Sequence, residues 1–109
     1  MPTNYKVLGQ AAPAATTNTT LYTVPSATQS VVSTITVCNR STAQRTFRIA
    51  VRPAGETLAN QHYVSFDSTI AASDTAAITI GVTLAASDVI TVFASSADLT
   101  FQAFGSEVS

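Results

Sequence analysis

The sequence predicts an all-β fold, an antiparallel β-sandwich that is Ig-like or jelly-roll-like, on three observations. About seven short runs rich in β-branched and aromatic residues recur along the chain. Turn residues separate them at intervals of roughly 8–12 residues. No segment repeats its apolar residues with a helical period.

Taken in order, the elements begin with a segment unlike the rest. YKVL (5–8) has strand character, and AAPAATTNTT (11–20) is low in complexity and too small-sided to bury much. Residues 1–20 read as an extended N-terminal arm, either loose or laid over a neighbouring subunit. Tyr5, Val7 and Leu8 form its apolar tip. Residues 21–109 are the sandwich domain. It opens with a short strand at LYTV, which Pro25 and a turn end.

VVSTITVCN (31–39) and RTFRIAVRP (45–53) are the clearest strands. In the second, Phe47, Ile49 and Val51 point one way, and Arg48, Ala50 and Arg52 the other. NRSTAQ between them has hairpin length. The expectation is one β-hairpin. Ile35, Val37, Phe47, Ile49 and Val51 face its core side, and arginines face solvent. Pro53, Ala54 and Gly55 stop the strand, and ETLANQHY (56–63) has room for one helical turn. HYVSF (62–66) is a short aromatic strand. TAAITIGVTL (75–84) alternates Ile78, Ile80, Val82 and Leu84 against Thr79, Gly81 and Thr83. DVITVFAS (88–95) and LTFQAF (99–104) complete the set. IAASDT (70–75) and LAASDV (84–89) echo one another. They read as two similar turns whose Asp side chains bond nearby backbone N–H groups.

Composition narrows the function. Charged residues are 10% of the chain, against roughly a quarter in a typical soluble domain. A Thr-rich, lightly charged surface suits a protein packed against copies of itself or other proteins. The net charge of −1 favours neither nucleic acid nor a membrane. Every Lys and Arg lies at or before Arg52, and every acid at or after Glu56. The two halves either intermix their charges in one domain or attract neighbouring copies head to tail. The first residues carry no basic or apolar pattern of a secretory signal, and no apolar run reaches membrane-span length. With one cysteine, no internal disulfide is expected.

Four of the five basic residues, Arg40, Arg45, Arg48 and Arg52, fall between residues 40 and 52. A nucleic-acid surface would add stacking aromatics and a basic balance, so these arginines, with Tyr5, Val7 and Leu8, are candidate protein-interface residues. Cys38 and His62 offer a catalytic dyad on paper, but nothing in the sequence places them together. No carboxylate pair, metal-ligand spacing or phosphate loop is present, and no enzyme activity, cofactor or metal is expected. Tyr22, Tyr63, Phe66, Phe93, Phe101 and Phe104 would serve either as core or as a sugar-binding face.

The order YKVLGQAAPAATTNTTLYTVP, VVSTITVCNRS, FRIAVRPAGETLANQHYVSFD, TLAASDVITVFAS, FQAFGSE resembles small virion proteins of tailed bacteriophages, of the marine and cyanobacterial phage type. The likeness covers nearly the whole chain. VCNRS, RPAG, TLAASDV and FGSE are its most specific pieces, and all are turn or strand-edge signatures. The resemblance implies a structural β-sandwich subunit of the virion and assigns no functional residue. The expected function is a capsid decoration (cement) protein, a homotrimer that binds major capsid proteins. A neck, baseplate or fibre-associated tail module is the alternative within the virion. A host-surface carbohydrate-binding module is the alternative of another class.

Overall fold

The computed structural model describes residues 2–79 and 81–109. Its strands are β1 (Thr3–Ala11), β2 (Thr19–Thr23), β3 (Gln29–Asn39), β4 (Arg45–Arg52), β5 (Tyr63–Ile70), β6 (Thr75–Ile78), β7 (Val82–Leu84), β8 (Val89–Ala94) and β9 (Leu99–Val108). The helical turn expected within 56–63 is a 3-10 turn at Asn60–His62. The strand expected over 75–84 divides into β6 and β7, with Gly81 at φ +58° between them; Ile80 lies outside the described residues.

All pairing is antiparallel, in two sheets. The first, sheet A, runs β1-β9-β3-β6, with β7 also on β3; the second, sheet B, runs β2-β8-β4-β5. β6 pairs with residues 35–38 of β3 and β7 with residues 30–32, so they are two pieces of one broken strand. Each successive connection crosses between sheets, save β4 to β5 and the break between β6 and β7. This is jelly-roll connectivity. An Ig-like order, whose sheets are built largely from neighbouring hairpins, is not what the pairing shows.

Two local expectations are corrected. β3 and β4 are not a hairpin: β3 pairs with β9, β6 and β7, whereas β4 pairs with β5 and β8. Residues 40–44 are an arch from one sheet to the other. The inward pattern is the same in either case, because Ile35 and Val37 still face Phe47 and Ile49, but across the core. Val51 is half-buried at the margin, and Ala50 is buried where the outer face was expected. The reason is cover: Arg52 Nε donates to Thr91 Oγ1 at 3.0 Å, and Thr91 is the register partner of Ala50. The second correction concerns the arm. Residues 3–11 are extended but lie on their own sheet, paired with β9 from Thr3↔Val108 to Ala11↔Phe101. The linking segment is tied down where the Thr16 N–H donates to the Ala94 carbonyl at 2.8 Å. β1 is an edge strand with a largely exposed face, so its sequence shows no burial alternation.

The core lies between the sheets. Ile35, Val37, Ile49, Ile90, Val92, Leu99 and Phe101 are fully buried. Phe47 and Phe101 meet edge to face, ring centres 6.2 Å apart. At roughly 1.5–3 kcal/mol per buried large side chain, this layer is the dominant stabilising term.

The arch is organised by a buried amide. Asn39 Nδ2 donates to the carbonyls of Ala43 (2.8 Å) and Ala71 (3.1 Å), and its Oδ1 accepts from Ser41 N–H (3.0 Å) and Oγ (2.8 Å). Gly105 marks a second constraint. β3 bulges between Val32 and Thr34, bringing the Val31 carbonyl where a Cβ on Gly105 would sit.

Asn39→Ala should lower unfolding free energy by about 2–4 kcal/mol, since each buried group left unpaired costs ~1–3 kcal/mol; urea denaturation measures this. Gly105→Ala should cost about 1–3 kcal/mol or more, because the atom it strikes is backbone rather than a movable side chain; the same titration checks it.

Candidate functional site

The structure disperses the expected basic stripe. Arg40 donates from NH2 to the Ala97 carbonyl at 2.8 Å. Arg45 pairs with Asp98 at 3.3 Å. Arg52 caps the other end of β4, on Thr91 and on the Glu56 carbonyl at 3.1 Å. Arg48 pairs with Asp67 through Nε–Oδ1 at 2.6 Å and a longer NH2–Oδ2 contact at 3.4 Å. Its guanidinium also lies 4.3 Å from the centre of the Phe66 ring and 4.4 Å from that of Phe93. Each of the four arginines thus bonds within the chain, and each reaches a residue beyond position 66. The opposite charges of the two halves intermix, as the simpler reading of their segregation expected. Exposed pairs of this kind contribute little to stability, about 0–1 kcal/mol each.

Intermixing leaves the molecule two-faced. Along β1, β9 and β3 the outward side chains are fixed by register: Tyr5 beside Ser106 and Val31, and Val7 beside Phe104 and Thr34. The rest of this face carries Thr3, Gln10, Thr36, Cys38, Thr75, Ala77, Thr83, Thr100 and Gln102. Among the described residues, one charged side chain borders the outer face of sheet A, the half-exposed Lys6. Lys6 turns inward over Gly105 to Glu107. Tyr5 is 86% exposed, Val7 46% and Val31 41%. Tyr5, Lys6, Val31, Ser33 and Phe104 border a shallow depression of about 500 Å³. Leu8, the third residue of the expected apolar tip, packs instead against the core. A bulge between Val7 and Gly9 separates it from the outward pair.

One polar cluster joins the sheets internally. The Tyr22 hydroxyl on β2 donates to Glu107 Oε2 on β9 at 2.5 Å and meets Ser30 Oγ on β3 at 2.6 Å. Lys6 Nζ reaches Glu107 Oε1 at 3.0 Å. The Tyr22 hydrogen bond, then Lys6, holds the Glu107 carboxyl below its ordinary range. Burial, then the neighbouring carboxylate, pushes the Tyr22 phenol up to about 12. Tyr22 is therefore structural, and it leaves the expected sugar-binding aromatics.

The paper dyad is not assembled. Cys38 stands on the outer face of sheet A, whereas His62 is buried in the β4–β5 connection of sheet B. Both ring nitrogens of His62 are engaged: Nδ1 accepts from the Ala59 amide at 3.0 Å, and Nε2 donates to Glu56 at 3.2 Å. Among the described residues, no group of three or more His, Cys, Asp or Glu converges as a metal site. No helix among them is long and apolar enough to cross a membrane.

The echoed turns are structural, and in both the residue before the Asp takes a left-handed conformation, Ser73 at φ +54° and Ser87 at φ +72°. Asp88 carboxylate oxygens accept from the amides of Ala85 (2.9 Å) and Ala54 (2.8 Å), pinning the Pro53–Gly55 corner to the β7–β8 turn. Sequence reasoning missed the pairing of Arg48 with Phe66, Phe93 and Asp67, which joins three strands. No protein-family model matches this chain, and no curated protein does.

The cluster fixes a pH window. Glu107, depressed in the folded state, contributes stability above its unfolded value near ~4.3, lost as pH falls through the folded one. Tyr22, raised when folded, contributes stability below ~10, lost as pH rises through about 12. Urea midpoints followed across pH should decline at both ends. Tyr22→Phe should abolish the alkaline decline and cost ~1–3 kcal/mol near neutrality.

Proposed function

We propose that this chain is a structural subunit of a tailed-bacteriophage virion, a capsid decoration protein that packs through the outer face of sheet A. The observation that carries this reading is the sparsely charged face bearing Tyr5, Val7 and Val31, with Lys6 at its margin paired to Glu107. Charged residues are depleted at the centres of protein interfaces, and an exposed tyrosine beside valines is what such centres contain once buried. An exposed apolar surface that is useless to a free monomer is what a shell component would bury. The resemblance of VCNRS, RPAG, TLAASDV and FGSE to small virion proteins supports the same reading. So does the jelly-roll connectivity, which serves viral capsids and lectins alike.

In this proposal the partners are further copies, as a homotrimer, and the major capsid protein. Tyr5 and Val7 stay at the interface, whereas Arg40, Arg45, Arg48 and Arg52 act chiefly by holding the subunit's own shape. No catalytic residue is assigned. The placement in neck, baseplate or fibres differs by abundance.

Quantitative mass spectrometry of purified particles should give a copy number near that of the major capsid protein. A ratio more than about tenfold lower would move the subunit to the tail, and absence from particles would overturn the reading. Tyr5→Lys with Val31→Lys should leave the unfolding free energy from urea denaturation within about 0.5 kcal/mol of the parent and weaken particle binding at least ~10-fold. Unchanged particle binding would remove sheet A from the interface.

A further inference from the structure

The opposite face of the molecule holds a different surface. β5 is the edge of sheet B. Its register on β4 steps from Phe47↔Ser68 to Ile49↔Ser65, so Phe66 and Asp67 together oppose the single residue Arg48. This is a β-bulge, and Asp67 takes a left-handed φ of +50° within it. The bulge keeps a phenyl ring 55% exposed beside an ion pair. Neither the left-handed Asp nor the exposed ring favours folding, and such departures gather where ligands bind.

The surroundings are shaped. Tyr63 and Phe66 meet at 80° with ring centres 4.9 Å apart, forming an aromatic corner. Asn60, Tyr63 and Phe66 line an open depression of about 260 Å³. The Arg48 fork is fixed against Asp67 and between two rings, so both planar groups are held with little rotamer freedom left to lose. Two bonds use Nε and one terminal nitrogen of Arg48. Tyr63 also acts on the guanidinium, and the remaining acceptor sites of the half-exposed Asp67 carboxylate lie outside that pair.

We propose that this corner, Asn60, Tyr63 and Phe66 with the Arg48–Asp67 pair, is a binding subsite for a neutral sugar ring. A pyranose has an apolar C–H face and a rim of hydroxyls that both donate and accept. The aromatic corner meets the first, and the fixed guanidinium, carboxylate and Asn60 amide meet the second. Local charge selects the class: Arg48 and Asp67 neutralise each other, so a phosphate or carboxylate ligand gains nothing net. A nucleobase platform would sit in a basic groove, which is absent among the described residues here. A peptide strand added to β5 would meet a ladder interrupted at Val64 and again at Phe66–Asp67. This inference does not rest on the virion reading, because it uses the other sheet.

The test is NMR titration of the isotope-labelled full chain with four probes: the methyl glycosides of glucose, galactose, mannose and N-acetylglucosamine. At least one should shift the amides of residues 60–67 saturably, with a dissociation constant on the order of 1 mM, as expected for a single open subsite. Phe66→Ala, at an exposed position, should weaken that binding at least ~10-fold, as should Asn60→Ala, while spectra elsewhere stay unchanged. Tyr5→Lys with Val31→Lys, on the far sheet, should leave it intact. No saturable shift with any of the four, shifts mapping away from this corner, or binding undiminished in both single variants would overturn the proposal.

Discussion

The Asn39 amide sits where the chain leaves one sheet for the other, buried to 1% exposure, and its donors and acceptor are bound there to two separate stretches of backbone. Ala43 belongs to the arch, Ser41 to its first turn, and Ala71 to the β5–β6 crossing. One side chain therefore ties two sheet-crossing connections together at the same end of the sandwich. Had the 40–44 segment closed as a hairpin, β3 and β4 would be neighbours, and neither β9 nor β8 would have its place. An unpaired amide at this depth costs more than most surface interactions return, so the crossing is favoured strongly over the hairpin.

At the other end, Tyr22 and Glu107 play the corresponding part between β2 and β9, and Asp88 secures the corner at Pro53–Gly55. The segments VCNRS, RPAG, TLAASDV and FGSE fall on these anchors. VCNRS contains Asn39, RPAG contains the corner held by Asp88, TLAASDV contains Asp88, and FGSE contains Gly105 and Glu107. They specify how strands connect, which is why they speak for a fold and are silent about chemistry. Between the anchors, the sandwich separates its surface into a sparsely charged, partly apolar sheet and a sheet that carries the Arg45–Asp98 and Arg48–Asp67 pairs.

Strands were legible in the sequence where one face is buried and the other wet: Phe47, Ile49 and the 31–39 run announce themselves by alternation. Pairing was not legible, because an arch and a hairpin place the same residues inward. β1 was legible only over residues 5–8, and its place on its own sheet was missed, since an edge strand with little burial has little pattern to read. The arginines show the limit for sites. Their segregation along the chain is visible in the sequence, but whether Arg48 meets Asp67 depends on a bulge in β5 that no local residue preference announces. Tyr22 looked like any other aromatic until its hydroxyl found a buried carboxylate from 85 positions away.

The position of β9 has a consequence for how the chain acquires its shape. β9 is inserted between β1 and β3, so the middle of that sheet is supplied by residues 99–108. During synthesis, β1 emerges early and has no partner in its sheet until this stretch is made, several seconds later at ~5–20 residues per second, while β3 has only β6 and β7 on its other edge. Nearly all stabilising contacts are distant in sequence, which makes formation slow relative to helical domains of similar size. The nascent chain thus carries Tyr5, Val7 and Val31 with an unpaired strand edge before it has a core. A ribosome stall or truncation ahead of residue 99 would leave a species prone to associate rather than a partly folded domain.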